Sequence, residues 1–155
     1  MPDHDERTKT RRRNPWLVAG GVLSAIAALL HLAVIAGGAD WYRAVGAGEE
    51  MAHMAERGLL RPALITVAIA ALLALWSAYA FAGAGLIRRL PLMRTALVTI
   101  SAIYLLRGLA PIPLLVLRPD MLDAFALWSS LIVLAYGVAY AVGTRRAWSF
   151  LSTRS

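Results

Sequence analysis

The sequence predicts an all-α polytopic membrane protein: a four-transmembrane-helix bundle with a short amphipathic helix in its first, periplasmic loop. Three observations carry this. Of the 155 residues, 59% are hydrophobic and only 16% charged, whereas a soluble domain has about a quarter charged and roughly half apolar residues, and the mean hydropathy is +0.63. The apolar residues gather into four stretches of spanning length. The basic residues alternate from one connection to the next.

The first stretch, Trp16 to Gly37, is uncharged except for His31. Pro15 begins it well, because its missing N–H costs nothing at a helix start. The second, Ala63 to Ile87, has Tyr79 as its one ionisable group; the third, Thr95 to Leu117, contains Arg107; the fourth, Leu122 to Val142, carries Asp123 at its start. Stretches of about 21 to 25 residues reach roughly 30 to 37 Å as helices, enough for a hydrocarbon core of about 30 Å. The first run is too long for a signal-peptide h-region of about 7 to 15 residues, so it is read as a retained span. Residues 1–14 form a basic, disordered cytoplasmic tail, 15–144 the membrane domain and 145–155 a second cytoplasmic tail.

Direction follows from Lys and Arg near the spans, which stay cytoplasmic. The N-terminal segment (Arg7, Lys9, Arg11, Arg12, Arg13), the second connection (Arg88, Arg89, Arg94) and the C-terminal segment (Arg145, Arg146, Arg154) hold eleven. The first and third connections hold four, Arg43, Arg57, Arg61 and Arg118, beside six of the nine acids. Both termini are therefore expected in the cytoplasm of a bacterial inner membrane; fifteen Arg to one Lys fits an Arg- and Ala-favouring genome. The net charge of +7 reads as an orientation signal with anionic headgroups as its partner, not as a nucleic-acid surface.

Between Asp40 and Arg61, Ala47, Met51, Met54 and Ala55 share one helical face, while Glu49, His53 and Arg57 recur at i, i+4 on another. A surface helix over Ala47 to Arg57 is expected, with Met51 and Met54 toward the membrane, Gly58 as its C-terminal cap, and Trp41 and Tyr42 at headgroup level. Asp120 with Asp123 reads as the N-cap of the last span.

Several chemistries are excluded. The chain has no Cys, hence no thiol redox chemistry or thiolate metal site. Glu50-x-x-His53 is a single copy of a fragment that a carboxylate-bridged metal site needs twice, with two further Glu. Gly83-Ala84-Gly85 lacks the strand and Lys of a phosphate loop and reads as close helix packing. No cofactor is expected.

Arg107 is the most informative residue. It lies near the middle of its span, where an Arg costs about 2.5 to 3.5 kcal/mol on insertion scales and must meet a partner or water. Pro111 cannot bond the Arg107 carbonyl, nor Pro113 the Leu109 carbonyl, so the outer half of this helix is expected to be kinked or broken. Broken backbone at that depth belongs inside protein or against a cavity; the structural alternative is an Arg that only caps the freed carbonyls. His31 shares a face with Gly20, Ser24, Ala27 and Ala28, which points it into the bundle toward a Thr or Tyr hydroxyl, with Tyr104, Ser129, Tyr136 and Tyr140 as candidates. The leading expectation is a non-enzymatic bundle that binds or transports a small anionic or amphiphilic ligand in a periplasm-facing polar cavity around Arg107, with His31, Tyr104, Glu49 and Asp123 contributing. Two alternatives stand beside it: a membrane-embedded enzyme using His31 with Glu49 or Asp123, and a structural subunit of a membrane complex.

Overall fold

The computed structural model describes residues 13–117 and 124–152. The expected disordered tail up to Arg12, the Asp120 cap, Asp123 and the charges of Arg118 and Arg154 lie outside the described residues. Within them the chain forms eight helices and no strand: α1 (Pro15–Gly37), α2 (Ala39–Ala44), α3 (Glu49–Glu56), α4 (Leu60–Gly83), α5 (Met93–Leu109), α6 (Pro111–Leu117), α7 (Ala124–Arg146) and α8 (Trp148–Ser152). By length and composition α1, α4, α5 with α6, and α7 are apolar enough to cross a membrane, which makes the chain a multi-pass membrane protein.

Local chemistry sets the helix ends. Asn14 caps α1 by accepting from Leu17 N (3.4 Å), with Pro15 at the first helical position. Its amide donates to the Gly143 carbonyl (2.7 Å), tying the start of the first span to the end of the last. α4 stops at Gly83, four residues short of the expected Ile87. There Gly85 takes a left-handed conformation (φ 78°), and the N–H groups of Gly85 and Leu86 close on the Ala82 and Phe81 carbonyls at 3.1 and 2.9 Å. This paired closure ends a helix by satisfying carbonyls that have no further turn to bond. α5 ends at Leu109 and α6 begins at Pro111, so the expected break falls at Ala110, with both prolines in the first turn of the new helix, where they are tolerated.

The spans associate as two intimate pairs, α1 with α4 and α5 with α7, which meet mainly along α1 and α7. Small residues permit the approach: a Cβ on Gly108 would lie 2.7 Å from the Leu134 backbone, and one on Gly20 2.9 Å from the Tyr140 ring. In lipid, where apolar burial drives association little, this close packing is what holds helices together.

The connections differ from expectation in two places. The first is folded into two short helices, and its apolar side faces protein. Ala52 and Tyr42 are buried against Val34, with Met51 and Ala55 packed on the same cluster; Thr66 gives its proton to the Pro62 carbonyl (2.8 Å) and accepts from the Tyr42 hydroxyl (3.2 Å). Met51 thus turns toward the bundle and Tyr42 is no interface anchor, because α1 extends far enough to offer Val34 as a nearer apolar partner; Trp41 remains exposed. The C-terminal segment, expected as a tail, carries α8. Arg89 stacks 4.1 Å from the Phe150 ring and donates to its carbonyl (2.6 Å), while Arg94 stacks 4.5 Å from the Trp148 ring and donates to its carbonyl (3.2 Å).

Candidate functional site

The centre of the bundle is a layer of hydroxyls and rings contributed by all four spans. Ser24 Oγ lies 3.0 Å from the Tyr104 hydroxyl and 2.9 Å from that of Tyr140, which donates to the Trp76 carbonyl (3.0 Å). A carbonyl only accepts, so the direction of each bond follows. Tyr140 gives its proton to Trp76 and accepts from Ser24, whose oxygen accepts from Tyr104. Every hydroxyl proton has a destination, the condition under which a buried polar network stabilises a core. The Tyr104 ring packs edge-on to Trp76 (4.9 Å) and Tyr136 (5.5 Å), and Ser77 donates to the Gly21 carbonyl (2.8 Å).

This layer closes the middle of the molecule, and Arg107 stands one turn outward of it. Leu97, Ile100 and Tyr104 form the buried stripe that α5 turns toward the other helix pair. At i+3 from Tyr104, Arg107 continues that stripe but is exposed. Its Nη1 donates to Ser130 Oγ (2.8 Å), which is only 2% exposed. Beyond the layer, toward Arg107, α5, α6 and α7 bury little besides Gly108, Pro111 and Ser130. A Cβ on Gly46 would lie 2.3 Å from the Phe125 ring, which brings the first connection back onto the start of α7.

The expected site residues are not gathered into one cluster. Tyr104 belongs to the closed layer. His31 is half-buried, and its Nδ1 lies 2.7 Å from the Ala27 carbonyl of its own helix, so Nδ1–H donates to that carbonyl. The interhelical bond anticipated for His31 is made about two turns farther along α1 by Ser24, whose short side chain lets the two Tyr hydroxyls reach it. Ser129 bonds the Ala126 carbonyl in its own helix.

Glu49 sits in a separate surface cluster that locks α2 to α3. Arg43 grips Glu49 through Nε and Nη2 (2.7 to 3.1 Å), reaches Glu56 (2.7 Å) and touches Asp40 (3.3 Å). His53 lies between the two glutamates, 3.2 Å from Glu49 and 3.0 Å from Glu56. The Arg43 guanidinium holds both carboxyls below the usual range, helped at Glu56 by His53. Glu49 is thereby a poor base, and its charge is already spoken for.

Sequence reasoning missed Ser130 and the Arg43 cluster. The first had a signal, since Ser130 is a hydroxyl in the last span, but only the register of α5 on α7 selects it over its neighbour Ser129. No protein-family model, curated protein or solved structure matches the chain.

Proposed function

We propose that this is a small, non-enzymatic bacterial inner-membrane protein, both termini cytoplasmic, that binds an anionic amphiphile at Arg107 from the periplasmic half of the bilayer. The observation that carries the reading is the exposed guanidinium at mid-span depth, outside the closed aromatic layer and bonded to Ser130. A guanidinium has five donors in a planar fork suited to a carboxylate or phosphate. None of α1, α4, α5, α6 or α7 contains an Asp or Glu, so the spans themselves offer Arg107 no counter-charge. An acidic headgroup would supply it, with its chain lying along the apolar surface of the spans beside Arg107. The packed centre favours an amphiphile entering from the side over a solute crossing the middle, and so favours binding over a through-pore. The Glu49 form of the enzyme alternative loses support, because Glu49 is engaged by Arg43.

Dodecanoate and dodecanol, of equal chain length, are the probes. Dodecanoate should bind the detergent-solubilised protein about tenfold or more tighter than dodecanol, the size of a charge-assisted bond, and Arg107→Leu should erase the difference. Equal binding of the two probes by the unaltered protein would overturn the proposal.

A further inference from the structure

A second groove lies on the opposite half of the α5–α7 pair, apart from Arg107. It has a volume of about 420 Å³ and runs between Val98, Ala102 and Leu105 on α5 and Ala141 and Thr144 on α7, ending at Arg145 and Trp148. Leu105 is level with Gly137, and Arg145 lies eight residues farther on, so the groove extends about 12 Å from mid-span to the Arg-rich end. Its walls are small and apolar for most of that length. At its end stands a cation, next to an indole that Arg94 holds in place by stacking and by a bond to its carbonyl.

One observation inside the groove is unexplained by helix packing. Thr144 is 4% exposed, and its hydroxyl has no hydrogen-bond partner among the described residues. A buried, unsatisfied hydroxyl is costly, and helical Thr ordinarily relieves the cost by bonding the carbonyl one turn back. Thr144 is one of the residues that line the groove, so a turn of its side chain about χ1 would bring the buried hydroxyl to a polar group just below the level of the cation. The order along the groove is therefore a trough that is apolar except for Ser101, whose hydroxyl donates to the Leu97 carbonyl, then Thr144, the guanidinium and the indole. A phospholipid presents the matching order: acyl chain, ester carbonyl, phosphate at the interface. Basic pockets between spans on the cytoplasmic side bind acidic headgroups, and Trp favours that depth.

We propose that this groove is a binding site for one anionic phospholipid, its chain along Ala102 and Ala141, an ester oxygen accepting from Thr144 and its phosphate at Arg145. The site is independent of the Arg107 reading and sits at the other face of the membrane.

The test is native mass spectrometry of the full chain released from mixed micelles of phosphatidylglycerol and phosphatidylcholine. The unaltered protein should retain phosphatidylglycerol about fivefold over phosphatidylcholine, the factor that one basic residue near a headgroup contributes. Arg145→Gln should abolish that preference. Ala102→Leu, a change at an exposed position that fills the trough without touching the bundle core, should reduce retention of both lipids. Arg88→Gln, which removes an exposed cation at the same end, should leave the preference intact. Equal loss in Arg88→Gln and Arg145→Gln would mean diffuse surface charge, and retention unchanged in Ala102→Leu would mean the lipid lies elsewhere; either result overturns the proposal. So does a dimer that Ala102→Leu dissociates, because a second copy of the chain would then fill the groove.

Discussion

At the scale of single residues, the central relay and Arg107 make opposite predictions for polar removal. Ser24 joins Tyr104 to Tyr140, so Ser24→Ala strands the Tyr104 hydroxyl. Interhelical hydrogen bonds in membranes are worth about 0.6 kcal/mol on average and about 1.7 at most. A double-mutant cycle of Ser24→Ala and Tyr104→Phe, read by thermal stability in detergent, should give a coupling in that range; zero coupling would show that the relay contributes nothing. Arg107 behaves differently because its desolvation costs more than its bond to Ser130 returns. Arg107→Leu should leave stability unchanged or raise it while removing selective dodecanoate binding. If the guanidinium only caps the carbonyls freed by Pro111 and Pro113, Arg107→Leu destabilises the protein, and replacing both prolines with Ala makes the change neutral. Comparing Arg107→Leu in the two backgrounds therefore separates cap from binding site.

At the scale of elements, the α2–α3 unit depends on charge and the spans on close contact. Glu49 and Glu56 have carboxyls lowered by Arg43. Groups depressed in the folded state stabilise it fully above their unfolded values, about 4.3 for Glu, and that contribution disappears as pH falls through the folded values. Hydrogen exchange of Glu49–Glu56 should be slow at neutral pH and quicken, after correction for intrinsic rates, once pH drops below about 4. Arg43→Gln should quicken it at neutral pH and flatten the dependence; a profile shared by both proteins would rule out the ion cluster as the clasp. The α5–α7 pair answers to volume instead. Gly108→Ala sets a methyl against the Leu134 backbone, which no rotamer change relieves, so the helices must separate. A cost of about 1 to 3 kcal/mol is expected, measured as a loss of thermal stability, and an unchanged melting temperature would mean the pair is looser than its geometry.

At the scale of the whole molecule, orientation governs what each site meets. The proposed orientation rests on eleven basic residues against four on the alternate connections, and under it Arg107 faces the periplasm and the Thr144 groove the cytoplasm. Alkaline phosphatase fused after Glu50 should be active and fused after Arg89 inactive. The reverse pattern would exchange the two faces and assign the acidic-lipid groove to the wrong leaflet.

The span number, the helix break beside Pro111, the cap at Gly58 and the need of Arg107 for a polar partner were all legible in the residues. Each depends on a local cost that no distant contact alters: apolar length, a missing N–H, a left-handed backbone, a cation at bilayer depth. Tertiary structure alone decided which polar groups meet. Ser24 rather than His31 bridges the helices to the Tyr hydroxyls, Ser130 meets Arg107, and Glu49 turns to Arg43, because side-chain partners are set by the rotation and register of packed helices. In nearly uniform apolar spans the hydrophobic pattern marks no inward face. Small residues and their close backbone contacts fix that rotation, and those contacts exist only once two helices are placed together.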